Sequence, residues 1–233
     1  QNAYLLSVYG YLHFQYNGYF FFAVMGLMTN KIESLLASKV MLRRIFWMFA
    51  LASLPSYFLS ALWLEIPKWL YLIVVLSAIL QMWGLVYFIK IIAAHKQHFS
   101  IKSNTGNVLL LLAIIALCIK VLLQLFSTIP LLSQIAFGYR SIVIGYLHLM
   151  LLGVISLSII GYIIKEGFIN INSWQKKGLL FFVGGVIINE ILLMLQGVAG
   201  ILYIFIPFVN ESLFVAALVM FTGLSLFIYK TKK

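Results

Sequence analysis

Seven apolar runs alternate with short polar breaks along the 233-residue chain. The first goes from about Ala3 to Thr29 and is closed by a polar, basic segment from Asn30 to Arg44. The second covers Ile45 to Leu64, and after the break Glu65-Ile-Pro-Lys68 the third extends from Trp69 to Ala94. A polar loop from His95 to Asn107 leads to the fourth, Val108 to Ser127, and a Pro-containing connection ending at Arg140 leads to the fifth, Ser141 to Ile164. The loop Lys165 to Lys177 precedes the sixth, Gly178 to Leu202, and the seventh spans Glu211 to Tyr229 before a basic tail. Runs of about 18 or more apolar residues are long enough to cross a hydrocarbon core roughly 30 Å thick. Without water to satisfy the backbone, each crossing must be a helix or belong to a closed barrel. The alternating pattern of barrel strands is absent. The expectation is an all-α, polytopic transmembrane bundle of about seven helices, with residues 1–233 forming one membrane domain.

Composition agrees: 64% of the residues are hydrophobic and 9% charged, with a mean hydropathy of +1.09, against roughly 45–50% apolar content in soluble domains. A net charge of +11 would point to nucleic acid in a soluble protein. Here the basic residues sit in the breaks, which excludes a nucleic-acid role and makes the lipid bilayer the partner. With seven crossings, Lys31, Lys39, Arg43, Arg44, Lys90, Lys96, Lys102, Lys165, Lys176, Lys177 and the tail lysines 230, 232 and 233 share one side, and only Lys68 and Arg140 fall on the other. Positive charge marks the cytoplasmic face, so the N-terminus is expected outside and the C-terminus inside, in the inner (cytoplasmic) membrane. Trp47 and Trp174 fall near the inner boundary, Trp63 and Trp69 near the outer one. The single cysteine, Cys118, permits neither an internal disulfide nor a cysteine-based metal cluster. The start at Gln1 has no basic segment and does not resemble a signal peptide.

An internal repeat adds candidate chemistry. Gly-Tyr-Leu-His occurs at residues 10–13 and again at 145–148; Gly18 and Gly153 each follow the histidine by five residues, Gly26 and Gly161 by thirteen. The same offset of 135 superposes the sixth run on the second and the seventh on the third, so the repeating unit is four helices. The first copy covers about residues 3–134 and the second about 138–233, the latter lacking its last helix, which points to truncation or divergence. Both histidine helices then run from outside to inside, and His13 and His148 lie roughly 10–15 Å below the outer boundary. The glycine three residues before each histidine shares its helical face and leaves space that suits a planar macrocycle or a closely packed helix.

Ionisable groups inside a membrane are costly and usually mark a paired or functional site. A lone intramembrane histidine is more often a hydrogen-bonding residue, but two at repeat-equivalent positions suit a ligand or proton-handling role. Two imidazoles at matched depth fit axial ligation of haem, or a copper or zinc site, and spacing does not choose among them. Lys120 and Glu190 lie at a similar depth, roughly 18 Å above the inner boundary. They can form an ion pair, or Glu190 can hydrogen-bond a histidine; alternatively Lys120 snorkels and Glu190 is protonated. Asn17, one turn after His13, is either a supporting group or a helix-pairing residue. Gln81, Gln124, Asn189 and Gln196 read as interhelical hydrogen-bonding residues, and His95 and His98 as solvated loop residues.

The run His148-Leu-Met-Leu-Leu-Gly153-Val-Ile-Ser156-Leu157 resembles the corresponding helix of membrane proteins related to haem-copper oxidase subunit I, including nitric-oxide-response proteins of the NnrS type. His13-Phe-Gln-Tyr-Asn-Gly18 is similar to a second such helix. The resemblance implies four-helix arcs with metal-binding histidines four helices apart. It further implies haem or metal ligation by His13 and His148, and a place in respiratory electron transfer or nitric-oxide-related metabolism beside other respiratory membrane subunits. The three further copper histidines and the His-Pro-Glu-Val-Tyr type segment of a complete oxidase are missing, so oxygen reduction by this chain alone is not expected. From a different class, a transporter or channel would use His13, Lys120, His148 and Glu190 to line a polar path; a structural subunit would use them only for assembly.

Overall fold

The computed structural model describes residues 2–35, 39–64, 66–94 and 105–229. Every regular element among them is helical. In chain order these are α1 (Asn2–His13), a π-helical segment (Phe14–Phe20), α2 (Phe21–Leu35), α3 (Lys39–Ser53), a 3₁₀ segment (Pro55–Ala61), α4 (Lys68–Ala94) and α5 (Thr105–Phe126). They continue with α6 (Pro130–Gly138), α7 (Arg140–His148), a second π-helical segment (Leu149–Ser156), α8 (Leu157–Lys165), α9 (Ser173–Ile201) and α10 (Val209–Tyr229).

Five helices among the described residues are long and apolar enough to cross a membrane: Lys68–Ala94, Thr105–Phe126, Arg140–Lys165, Ser173–Ile201 and Val209–Tyr229. They correspond to the third through seventh apolar runs. The first two runs differ from expectation. The first is helical, but Gln15 and Asn17 fall within its central π segment and dilute its apolar character. The second stops being an α-helix at Ser53, because Pro55 has no N–H to give and its ring crowds the preceding turn. His95 and His98 lie outside the described residues.

The chain divides into two compact units, one of residues 1–103 with 113–134 and one of residues 104–112 with 135–233. In the first, α3 packs along α4. Phe49 contacts the ring of Phe21, centroids 5.0 Å apart, and lies over Gly84, where a Cβ would come within 2.9 Å of it. Tyr57 ties the 3₁₀ segment to α1 by donating to the Leu6 carbonyl at 3.0 Å, and Tyr71 ties α4 to the turn after α5 through the Thr128 carbonyl at 2.8 Å.

In the second unit α9 and α10 form a long helical hairpin. Its helices meet at glycines: a Cβ on Gly178 would lie 2.7 Å from the Gly223 carbonyl oxygen. Such small-residue contacts let backbones approach where no hydrophobic effect drives helices together. Asn172 caps α9 with a reciprocal Gln175 bond, and the buried Gln175 side chain donates to the Phe227 carbonyl at 3.1 Å. Gly106 at the start of α5 meets Gly161 of α8 in the same way, a Cβ there falling 2.7 Å from the Gly161 oxygen. α8 and α9 end alike, with a left-handed residue and a six-to-one backbone bond: Gly167 (φ 76°) with Phe168 N–H to Ile163, and Tyr203 (φ 56°) with Ile204 N–H to Ala199.

Candidate functional site

The first unit contains a file of buried polar side chains that joins four segments. Lys120 Nζ donates to Gln124 Oε1 at 2.6 Å, one turn further along α5. Gln124 Nε2 donates to Gln81 Oε1 on α4 at 2.6 Å, and Gln81 Nε2 donates to Ser56 Oγ at 3.2 Å. Ser56 Oγ lies 3.4 Å from His13 Nε2 and donates to the Ser53 carbonyl at 3.1 Å. His13 Nε2 sits 2.9 Å from that same carbonyl oxygen. Lys120, Gln124, Gln81, Ser56 and His13 are all buried.

Two features of the chain build this file. The first is Pro55. In an unbroken helix the Tyr57 N–H would bond the Ser53 carbonyl; in the 3₁₀ turn it bonds Leu54 instead, at 3.2 Å. Ser53 is left with an acceptor directed at His13, and because a carbonyl only accepts, the ring proton resides on Nε2. The second is Lys120, which can only donate. It holds the oxygen of Gln124 toward itself, so the nitrogen of Gln124 faces Gln81, and the nitrogen of Gln81 faces Ser56. Every amide in the file therefore points its donor away from the lysine. The other ring nitrogen, His13 Nδ1, faces Asn17 Nδ2 at 3.5 Å, and Asn17 Oδ1 is buried with no hydrogen-bond partner among the described residues. Phe14 and Tyr57 enclose the imidazole edge-on, at centroid distances of 5.2 and 6.1 Å.

The second unit holds a smaller cluster. His148 Nδ1 faces Asn189 Nδ2 of α9 at 3.5 Å. Glu190, the next residue on α9, has its Oε1 buried without a partner among the described residues. Each histidine is followed immediately by a π-helical segment, Phe14–Phe20 after His13 and Leu149–Ser156 after His148. π turns are rare and occur frequently at functional sites.

Of the residues singled out from sequence, Asn17 meets His13 as a ring partner, whereas Asn189 rather than Glu190 faces the ring of His148. Lys120 belongs to the first unit, bonded to Gln124, and Glu190 to the second. Gln196 reaches Asn210 at 3.4 Å. Ser53 and Ser56 were not legible as site residues; their one signal is Pro55 between them, which announces a break in the helix.

The glycine faces expected to leave room beside the rings are covered. A Cβ on Gly10 would meet the Tyr57 ring at 3.4 Å, and one on Gly145 would meet Leu193 Cβ at 3.4 Å with Glu190 Oε2 at 3.8 Å. Close helix packing, not macrocycle space, uses these glycines. As folded, His13 does not fit an axial haem ligand, since its Nε2 is directed at Ser53 and its glycine face at Tyr57; His148 keeps Nε2 clear of hydrogen bonds among the described residues. No group of three or more His, Cys, Asp or Glu side chains suited to a metal occurs among the described residues. No protein-family model, curated protein or solved structure matches this chain.

Proposed function

We propose that this chain is a multi-pass membrane protein of the transporter or channel class, in which the file from Lys120 to His13 is an intramembrane path for protons or a small polar solute. The observation that carries the reading is the unbroken run of hydrogen bonds between two ionisable groups through α5, α4 and the 3₁₀ segment. Carboxamides and hydroxyls offer donors and acceptors that water or a polar solute can replace one at a time, and the histidine supplies the exchangeable proton. The file contains a lysine and no carboxylate, which suits protons and neutral or anionic solutes over metal cations. Seven crossings with the N-terminus outside, in the cytoplasmic membrane, complete the reading. The loop charge asymmetry supports that topology. The two π segments at one sequence offset support the four-helix repeat.

The test is proton flux into liposomes containing the full chain, driven by a potassium-diffusion potential and followed with an internal pH dye. Flux above that of empty vesicles is expected. Gln81→Leu removes the central link, at a cost of about 1–3 kcal/mol for the stranded neighbours, and should slow flux roughly tenfold or more. Vesicles no leakier than empty ones would overturn the proton form of the reading.

A second reading is favoured by the identical Gly-Tyr-Leu-His contexts and the π segments that follow both. Here the chain is a haem- or metal-binding relative of haem-copper oxidase subunit I, with His148 as the ligand and respiratory subunits as partners. Haem supplies redox chemistry when bound; the chain's own contribution would be the His148 imidazole, its Nδ1 steadied by Asn189. Protein purified from haem-replete cells should then show a Soret band lost in His148→Ala. Colourless protein free of copper, zinc and iron would remove this reading.

A further inference from the structure

We infer that Asn17 is the residue that accepts a second proton-bearing nitrogen of His13, its carboxamide turning over when the ring passes from neutral to charged. The inference rests on the reading of the file as a proton path and names the group that lets its histidine change state.

The ring's first proton is already assigned. Nε2 faces the Ser53 carbonyl at 2.9 Å, an acceptor with no proton to give, so Nε2 is the protonated nitrogen of the neutral ring. A second proton can go only to Nδ1. That nitrogen faces Asn17 Nδ2 at 3.5 Å, where the neutral ring can accept from the amide N–H. Once Nδ1 carries a proton, donor opposes donor and the contact becomes repulsive. The same carboxamide holds the remedy. Asn17 Oδ1 is buried and has no hydrogen-bond partner among the described residues, an arrangement that native structures rarely tolerate without a reason. A half-turn of the amide exchanges Oδ1 for Nδ2 and gives the charged ring a carbonyl on both sides.

The surroundings leave few alternatives to Asn17. The titratable groups directed at the ring are Tyr57, on the 3₁₀ segment, and Lys120, at the far end of the file. The Tyr57 hydroxyl is engaged with the Leu6 carbonyl at 3.0 Å. The hydroxyl of Ser56 lies on the Nε2 side. Phe14, edge-on to the imidazole, offers no acceptor. Asn17 reaches Nδ1 from within the π segment that begins at the residue after His13, so the widened turn belongs to the same device. The second unit pairs His148 Nδ1 with an asparagine amide at the same 3.5 Å, supplied there by a different helix.

The experiment is nitrogen NMR of the full chain in lipid nanodiscs, labelled at histidine and asparagine, from about pH 8 to about pH 3, a range that runs through and below the one in which histidine ordinarily changes charge. At the upper end His13 should show a protonated Nε2 and a bare Nδ1. As Nδ1 takes up its proton, the Asn17 carboxamide resonance should move over the same interval, and it should stay still in His13→Phe. Asn17→Asp, which offers an acceptor whichever way it turns, should preserve protonation of Nδ1, and the near-isosteric Asn17→Leu should lose it. A fixed Asn17 resonance while the ring titrates, a neutral ring protonated on Nδ1, or a ring that stays neutral throughout would each overturn the inference. Flux in liposomes with a fixed Asn17 resonance would remove Asn17's role alone; coupled titration without flux would remove the path reading alone.

Discussion

Lys120 and Gln124, one turn apart on α5 with Nζ 2.6 Å from Oε1, set the direction of every amide hydrogen bond between them and His13. An ammonium cannot accept, so the carboxamides of Gln124 and Gln81 have one orientation while Lys120 is charged. Buried hydrogen-bonded chains of this kind share their energy among members, and their parts do not act independently.

The first consequence is long-range coupling. Lys120→Met should cost about 1–3 kcal/mol by leaving the Gln124 oxygen without its donor, and Gln81→Leu a similar amount. Although no direct hydrogen bond joins Lys120 to Gln81, their losses should be non-additive by roughly 0.5 kcal/mol or more. Thermal unfolding of both single variants and the double variant in detergent measures this. Additive losses would show that the file does not act as one network.

Pro55 creates the acceptor that His13 uses. Pro55→Ala allows the α-helix to continue, and the Tyr57 N–H then competes for the Ser53 carbonyl. The expected result is a His13 ring whose proton is no longer confined to Nε2, together with reduced flux, at unchanged helix content. Ring-nitrogen shifts identical to those of the parent chain would show that the 3₁₀ turn is held by something other than proline.

The glycines of the second unit should separate by position. Gly223→Ala puts a Cβ 2.7 Å from the Gly178 carbonyl oxygen, where backbone must move, and should cost about 1–3 kcal/mol. Gly184→Ala meets nothing within 4 Å on the same helical hairpin and should be neutral, or stabilising by up to about 1 kcal/mol. Equal midpoints for the two variants in thermal unfolding would contradict the close approach of α9 and α10.

For orientation, single cysteines are introduced in a Cys118→Ser background. Ser133 is fully buried and unsuited to labelling, whereas Leu131 is 67% exposed and Ser173 is exposed. Leu131→Cys should react with an impermeant thiol reagent in intact cells and Ser173→Cys should not. The reverse pattern would invert the topology proposed from the loop charges.

The sequence by itself determined that the chain is helical and lipid-directed, because runs such as Trp69–Ala94 and Gly178–Leu202 leave the backbone no other way to satisfy itself without water. It also determined where polar groups enter those runs: His13, Gln81, Lys120, Gln124, His148, Asn189 and Glu190 stand out against apolar neighbours. Tertiary structure decided which of them meet. Whether Gln124 reaches Gln81 depends on the relative rotation of α4 and α5, which residue spacing within one helix does not encode. The Ser53 carbonyl became a site because a proline turned a helix into a 3₁₀ turn at the depth of His13, and Gly10 and Gly145 became packing surfaces because Tyr57 and Leu193 reached them first. Residue type announced the polar groups, whereas helix rotation and a single helix break selected their partners.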